Sequence, residues 1–378
     1  MDIWWQLPGP LKFISSLAQD LRNGKNIVLC LPEYHPNDLL RALRRTYDEN
    51  QAISWVNISL SDNEIDPVEF LCRYFDLEIH PETFMNANIL CEKLGFIKGI
   101  IILDGFTQRN WGPWKDFLSD YEHALRSKAK ETRTPFIVFI KGDIALDPPH
   151  QEVALSIRKW DGVVDLVDML AYTSHLLPDS NMPSLLRQVA LYTVAELAMW
   201  DPLLAINLVR QDLNTILNPL EYLTELAVER DWKEINLDVK SASWCFGASA
   251  VFEDRIKLHT LALASNGYTD EIKQRLWSAQ VKVLLPFVED RRGEIIQVLS
   301  DDLWAPYIAK DKTINDIHGL EISHIYDQTQ ANKNLDYRLR KLIKVLRDIR
   351  NTLAHVEIVS ADTLRSSEML NYAEIIHY

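Results

Sequence analysis

Between residues 25 and 166 the chain alternates short apolar runs with amphipathic stretches. The runs are "NIVLCL" (26–31), "AISWVNISL" (52–60), "GIIIL" (99–103), "PFIVFI" (135–140) and "GVVDLV" (162–167). They are β-branched and nearly continuous, which predicts strands covered on both faces. Stretches of helical period fall between most of them, at 37–46, 66–75, 82–95 and 111–129. Such strand–helix alternation predicts a parallel α/β sheet.

Beyond residue 178 the period turns helical. "NMPSLLRQVALYTVAELAMW", "DPLLAINLVRQDLNTIL" and "NPLEYLTELAVERDW" each begin at or near a polar residue and a proline. Asp201 and Asn218 stand where N-caps belong, with Pro202 and Pro219 at the first helical position, where a missing N–H costs nothing. These segments are expected to form a helical connector. "INLDVKSAS" (235–243) reads as a link into helices near 243–265, 269–299 and 335–355, with a shorter piece in "HGLEISHIYDQ". Pro286 is expected to kink or divide the second of them. The expected organisation is α/β plus all-α: an α/β domain over 1–177, a connector over 178–240 and a helical bundle over 241–378.

Composition narrows the function classes. The formal net charge of −14 gives nucleic acid no bulk attraction, so any such contact needs a local basic stripe. Cys30, Cys72, Cys91 and Cys245 form no CxxC pair and have no neighbouring His at zinc spacing, so reduced thiols and no metal site are expected. The opening "MDIWWQLPGPLKF" lacks the pattern of a secretory signal, and no apolar run approaches the ~20 residues of a membrane span. A cytoplasmic protein without membrane attachment is expected.

The segment 335–355 carries the most chemistry. Leu335, Leu339, Leu342, Leu346, Ile349 and Leu353 recur at steps of four and three, a core stripe. The remaining positions are basic: Arg338, Arg340, Lys341, Lys344, Arg347 and Arg350, against Asp336 and Asp348. This stripe reads either as a solvated face near a helix C-terminus or as an RNA-binding surface, with Arg340, Lys344 and Arg347 as contacts. At about 100° per residue, Asn351 and His355 share a face opposite the stripe, while Arg350 lies about 60° off it. Arg350 and His355 are then about 140° apart, so two facing copies would surround one phosphate more readily than one copy.

"RNTLAH" resembles the motif of the HEPN superfamily, small helical bundles carrying R-x4-H, commonly with a polar residue after the Arg. Arg350, Asn351 and His355 stand at the matching positions. The resemblance implies catalytic roles for these three in a metal-independent endoribonuclease. It also implies RNA as substrate, no cofactor, and a homodimer with a composite site. The residue types suit the chemistry. A histidine exchanges protons near neutral pH, and a guanidinium stabilises charge growing on a phosphorane.

Residues 20–175 resemble a P-loop NTPase core of the AAA or STAND type. "IIILDG" is similar to a Walker B strand ending in Asp104, and "FIVFIKGD" stands where a sensor strand would follow. The loop after the first strand, "LPEYHPNDLLRAL", has no glycine, no lysine and two prolines, so it lacks the N–H cradle for phosphate. Asp104 gains a cofactor-binding role only if a nucleotide binds. The resemblance implies a degenerate module that senses, regulates or docks a protein partner, and, joined to a HEPN nuclease, a toxin or antiviral-defence effector. A non-catalytic adaptor and a nucleotide-binding switch are the alternative readings. His318, Glu321 and His324 are expected as surface or capping groups. Trp277, Gln280 and Glu289 are expected beneath the motif helix, with Glu289 a candidate for orienting a catalytic group.

Overall fold

In the computed structural model the described residues are 3–47, 53–77, 86–95, 99–177, 182–232, 240–309, 312–332 and 335–377. Strands β1 (Asn26–Leu31), β2 (Ser54–Ser59), β3 (Gly99–Asp104), β4 (Phe136–Lys141) and β5 (Leu155–Lys159) form one sheet in the order β2-β3-β4-β1-β5. Every pairing is parallel. All six residues of β1 are buried, as its unbroken apolar run requires of a strand flanked on both sides. β2 lies at an edge and buries only Ile58. Helices α1 (Pro8–Arg22), α2 (Leu39–Tyr47), α3 (Pro67–Tyr74), α4 (Ala87–Leu94) and α5 (Gln108–Arg126) accompany the strands, and α6 (Leu166–Leu176) follows β5. Expected helical residues 82–85 lie outside the described residues.

Four strands fall where the apolar runs predict them; the fifth does not. β5 is "LSIRK", and "GVVDLV" is instead a bend whose last two residues already belong to α6. Two polar members of β5 have a partner on α1. Ser156 donates to the Asp20 carboxylate at 2.8 Å and Arg158 donates through Nε at 2.9 Å. Asp165 and Asp168 each accept the other's backbone N–H, at 2.9 and 3.1 Å, and so start a helix.

The second half contains α7 (Ser184–Ala198), α8 (Pro202–Val209), α9 (Leu213–Leu217), α10 (Leu220–Glu229), α11 (Lys240–Phe246), α12 (Thr260–Ser265) and α13 (Thr269–Val298). After these come α14 (Ile322–Ala331), α15 (Tyr337–Ala354) and the short α16 (Ala361–Leu364), α17 (Ser367–Leu370) and α18 (Tyr372–His377). Asp201 caps α8 as expected, accepting from Leu203 and Leu204 at 2.8 and 3.1 Å. Asn218 ends α9 rather than capping α10, and α13 runs unbroken for 30 residues through Pro286. Burial of Val283, Leu284 and Val288 holds the turns on both sides of that proline.

The segment 243–265 is not one helix. Between α11 and α12 lies a hairpin of β6 (Ser249–Phe252) and β7 (Arg255–Leu258). Its two-residue turn has φ of 51° at Glu253 and 59° at Asp254, the geometry of a tight hairpin, usually signalled by Asn-Gly. A second small hairpin pairs β8 (Tyr307–Ala309) with β9 (Lys312–Ile314).

The chain divides into two units, Met1–Asp168 with Ile235–His259, and Met169–Glu234 with Thr260–Tyr378. Residues up to Glu234 of the expected connector therefore belong with the C-terminal helices, and 235–259 belong with the sheet. In the second unit α7 packs on α13, and α15 packs on α13 and α14. Among the described residues no helix is long and apolar enough to cross a membrane.

Candidate functional site

Open parallel sheets bind ligands beyond their carboxyl ends, where neighbouring crossovers leave in opposite directions. The strand order puts that place between β1, whose chain crosses toward β2, and β4, whose chain crosses toward β5. A phosphate there would need the backbone donors of the loop after β1. The Glu33 N–H is already spent, donating to the Cys245 carbonyl at 2.7 Å. Trp244 and Cys245 of α11 are buried in the cluster that holds Val28, Cys30, Ile140 and Ile144. Lys159 Nζ lies 4.0 Å from the Trp244 ring centroid. Gly247, with φ +83°, passes so close to Tyr34 that a Cβ would meet its carbonyl oxygen at 2.7 Å.

Within this loop Pro36 is buried and His35 half-buried, whereas Glu33, Tyr34, Asn37 and Asp38 are exposed. His35 places Nδ1 3.0 Å from the Pro32 carbonyl and 3.3 Å from that of Glu33. Burial, aided by the Lys141 charge, holds its pKa below the usual imidazole range. Burial pushes the Cys245 thiol up to about 11, with the Asp143 carboxylate adding to the rise, so no thiolate nucleophile forms near neutral pH. Asp104 ends β3 exposed, and no hydrogen bond or ion pair engages its carboxylate among the described residues. The crevice is thus filled by the chain's own α11. The protein is expected to show no ATP or GTP hydrolysis, and micromolar ATP affinity lost on Asp104→Ala, measured by calorimetry, would overturn this.

In the second unit, α15 starts at Asp336, whose carboxylate accepts the Arg338 N–H at 2.9 Å. Leu339, Leu342, Leu346, Ile349 and Leu353 are buried as the stripe requires; Ile343 is buried too, and Leu335 is half-buried. The helix closes with paired turns: Val356 N–H donates to Leu353 O at 3.1 Å and Glu357 N–H to Thr352 O at 3.0 Å. Trp277 Nε1 also donates to Leu353 O, at 2.8 Å. Gln280, fully buried, exchanges two hydrogen bonds with the Val359 backbone, at 2.9 and 2.7 Å. Trp277 and Gln280 thereby fix the point at which the helix stops. Glu289 does not reach the motif; it pairs with Arg292 at 2.7 Å.

His355 is the C-cap, not a helical residue, and its side chain is exposed. No hydrogen bond or ion pair engages its ring among the described residues. Val356, next in sequence, takes φ +59°, a left-handed conformation that strains a β-branched residue. Because Val356 is half-exposed, Val356→Gly loses little burial and is expected to raise stability by about 1 kcal/mol. A urea midpoint that falls on this change would refute the assignment of strain.

Arg350 and Asn351 are half-buried at the polar border of α15. Arg350 Nη2 is 2.6 Å from Glu321 Oε2, at the N-terminus of α14. Among the described residues no hydrogen bond joins the side chains of Arg350, Asn351 and His355 to one another. Of the expected RNA contacts, Lys344 is exposed, whereas Arg340 is half-buried with its Nε enclosed and unpartnered. Arg347 is committed elsewhere: it binds Asp348 at 2.7 Å and its guanidinium lies 3.7 Å from the Tyr326 ring centroid. Glu321 and His324 begin α14 together, the Glu321 N–H donating to His324 Nδ1 at 3.1 Å and the Glu321 carbonyl accepting the His324 N–H at 2.9 Å. The capping signature was legible in "HGLEISHI"; that Glu321 also meets Arg350 was not, because nothing local relates residues so far apart in sequence. No protein-family model matches the chain, and no curated protein matches it in sequence.

Proposed function

We propose that the chain is a HEPN-type, metal-independent endoribonuclease acting in the cytoplasm as a homodimer. Its α/β unit is a nucleotide-free, NTPase-like sensor or docking module, in a toxin or antiviral-defence role. The observation that carries the reading is the end of α15. There an exposed, unengaged His355 is fixed as the C-cap, one turn beyond Arg350 and Asn351, all off the buried stripe. In the reaction this supports, the RNA 2′-oxygen gives up its proton and attacks phosphorus, and the bond to the 5′-oxygen breaks. His355 exchanges the protons, and Arg350 balances charge on the phosphorane. His355 stands just past the end of α15 and its ring makes no hydrogen bond to Arg350, which favours a site completed by a second copy.

The test is incubation of the purified protein with total RNA, with and without chelator, beside His355→Ala. Cleavage indifferent to chelator and lost in the variant is expected. Cleavage that survives in the variant sinks the assignment. A strict monomer in light scattering with full activity removes the composite site but not the nuclease. One set of observations favours the adaptor reading instead. Arg350 and Arg347 are held by carboxylates of the same chain, and the crevice of the sheet is filled by α11. Absence of RNA cleavage under every condition selects it.

A further inference from the structure

The basic face of α15 carries its own anions. Arg338 meets Asp336 at 3.5 Å, Lys341 meets Glu368 at 3.7 Å, Arg347 meets Asp348 at 2.7 Å and Arg350 meets Glu321 at 2.6 Å. Two of these carboxylates, Glu321 and Glu368, come from outside the helix. Glu321 differs from the others because its partner is the candidate phosphate-binding guanidinium. Its Oε2 stands against Nη2, where a phosphate oxygen would have to be.

We propose that Glu321 gates Arg350: its carboxylate occupies the guanidinium until an RNA phosphate displaces it. The proposal rests on the nuclease reading of Arg350 and adds the regulation of that site. Glu321 is well suited to let go of one partner without moving. Its backbone is pinned at the start of α14, the carbonyl accepting the His324 N–H at 2.9 Å and the N–H donating to His324 Nδ1 at 3.1 Å. The segment leading into it is anchored by Arg292, whose Nη1 donates to the carbonyls of His318 and Leu320 at 3.1 and 3.0 Å. The guanidinium, on a long flexible stem, is the mobile partner.

Exposure sets the size of the effect. The Arg350 side chain is 35% exposed and that of Glu321 53%. A pair this wet is a weak latch, so opening it costs RNA binding about threefold to fivefold and no more. A gate of that size lets phosphate compete, where a buried pair would not.

The experiment measures binding of a short fluorescein-labelled single-stranded RNA of mixed sequence by anisotropy. It uses the full chain in a His355→Ala background so that the probe stays intact. Glu321→Gln and Glu321→Ser both remove the charge and leave the backbone bonds that begin α14 in place. Each is expected to bind the RNA about fivefold more tightly. The gain should vanish when Arg350→Ala is added, which a loss of general negative charge would not produce. Binding by the parent with no gain in either variant overturns the gate and leaves the nuclease reading standing. A gain that persists without Arg350 also overturns the gate. No binding by any of the proteins overturns both.

Discussion

Replacing His355 or Arg350 with alanine is expected to lower RNA cleavage by about a hundredfold or more while the protein stays folded. Proton transfer by a positioned side chain contributes about 10²–10⁴ to rate, and removing one stabiliser of transition-state charge costs a comparable factor. His355 stands beyond the end of α15, and Arg350 is half-buried at the border of its buried face. His355 is exposed, so its loss should change stability by under ~0.5 kcal/mol. Arg350 forfeits one half-exposed ion pair, worth at most about 1 kcal/mol. Leu346, fully buried on the same helix, is the contrasting control. Leu346→Ala should cost about 2–5 kcal/mol through a cavity. Lys344→Ala should weaken RNA binding and flatten its salt dependence without touching the chemical step. Activity on total RNA read beside thermal melts separates these outcomes. A His355→Ala protein that melts early marks the residue as a structural cap, and one that is folded and fully active transfers the case to the adaptor reading.

Trp244→Ala is expected to destabilise the sheet-containing unit by about 3–5 kcal/mol. Trp244 is 4% exposed and lies in the same core cluster as β1 and β4, although it stands more than two hundred residues beyond β1. Removing it empties the crevice of its main filling. It does not create a nucleotide site, because the loop after β1 still lacks glycines and a lysine, and its Glu33 N–H still donates to the Cys245 carbonyl. Urea unfolding should therefore show a large loss of stability, and calorimetry should show no ATP binding. A shift under about 1 kcal/mol would mean that α11 is a loosely held cover, and ATP binding by the variant would revive the nucleotide-switch reading.

Four strands and the core face of α15 were legible in the sequence because burial leaves a periodic trace. β1 and β3 sit inside a parallel sheet and so read as unbroken apolar runs, and the leucines of α15 recur with the helical turn. The fifth strand left no such trace, since it lies at the sheet's edge and carries the polar Ser156 and Arg158, which bind Asp20. The hairpin at 249–258 was hidden for a related reason, its turn being made by Glu253 and Asp254 rather than Asn-Gly.

The candidate site divides the same way. The sequence alone placed Arg350 at the border of the buried stripe and Asn351 beyond it, because helical geometry fixes the angle between positions on one element. It also determined that the loop after β1 is poorly equipped for phosphate, since missing glycines and added prolines are local facts. Only the tertiary structure decided that Glu321 and Glu368 neutralise part of the basic face, that Val356 is strained beside His355, and that α11 fills the crevice of the sheet. Each of these joins residues distant in sequence or depends on how a helix ends against its neighbours. Periodicity reports which face of an element is covered; it does not report which side chain, from how far along the chain, does the covering.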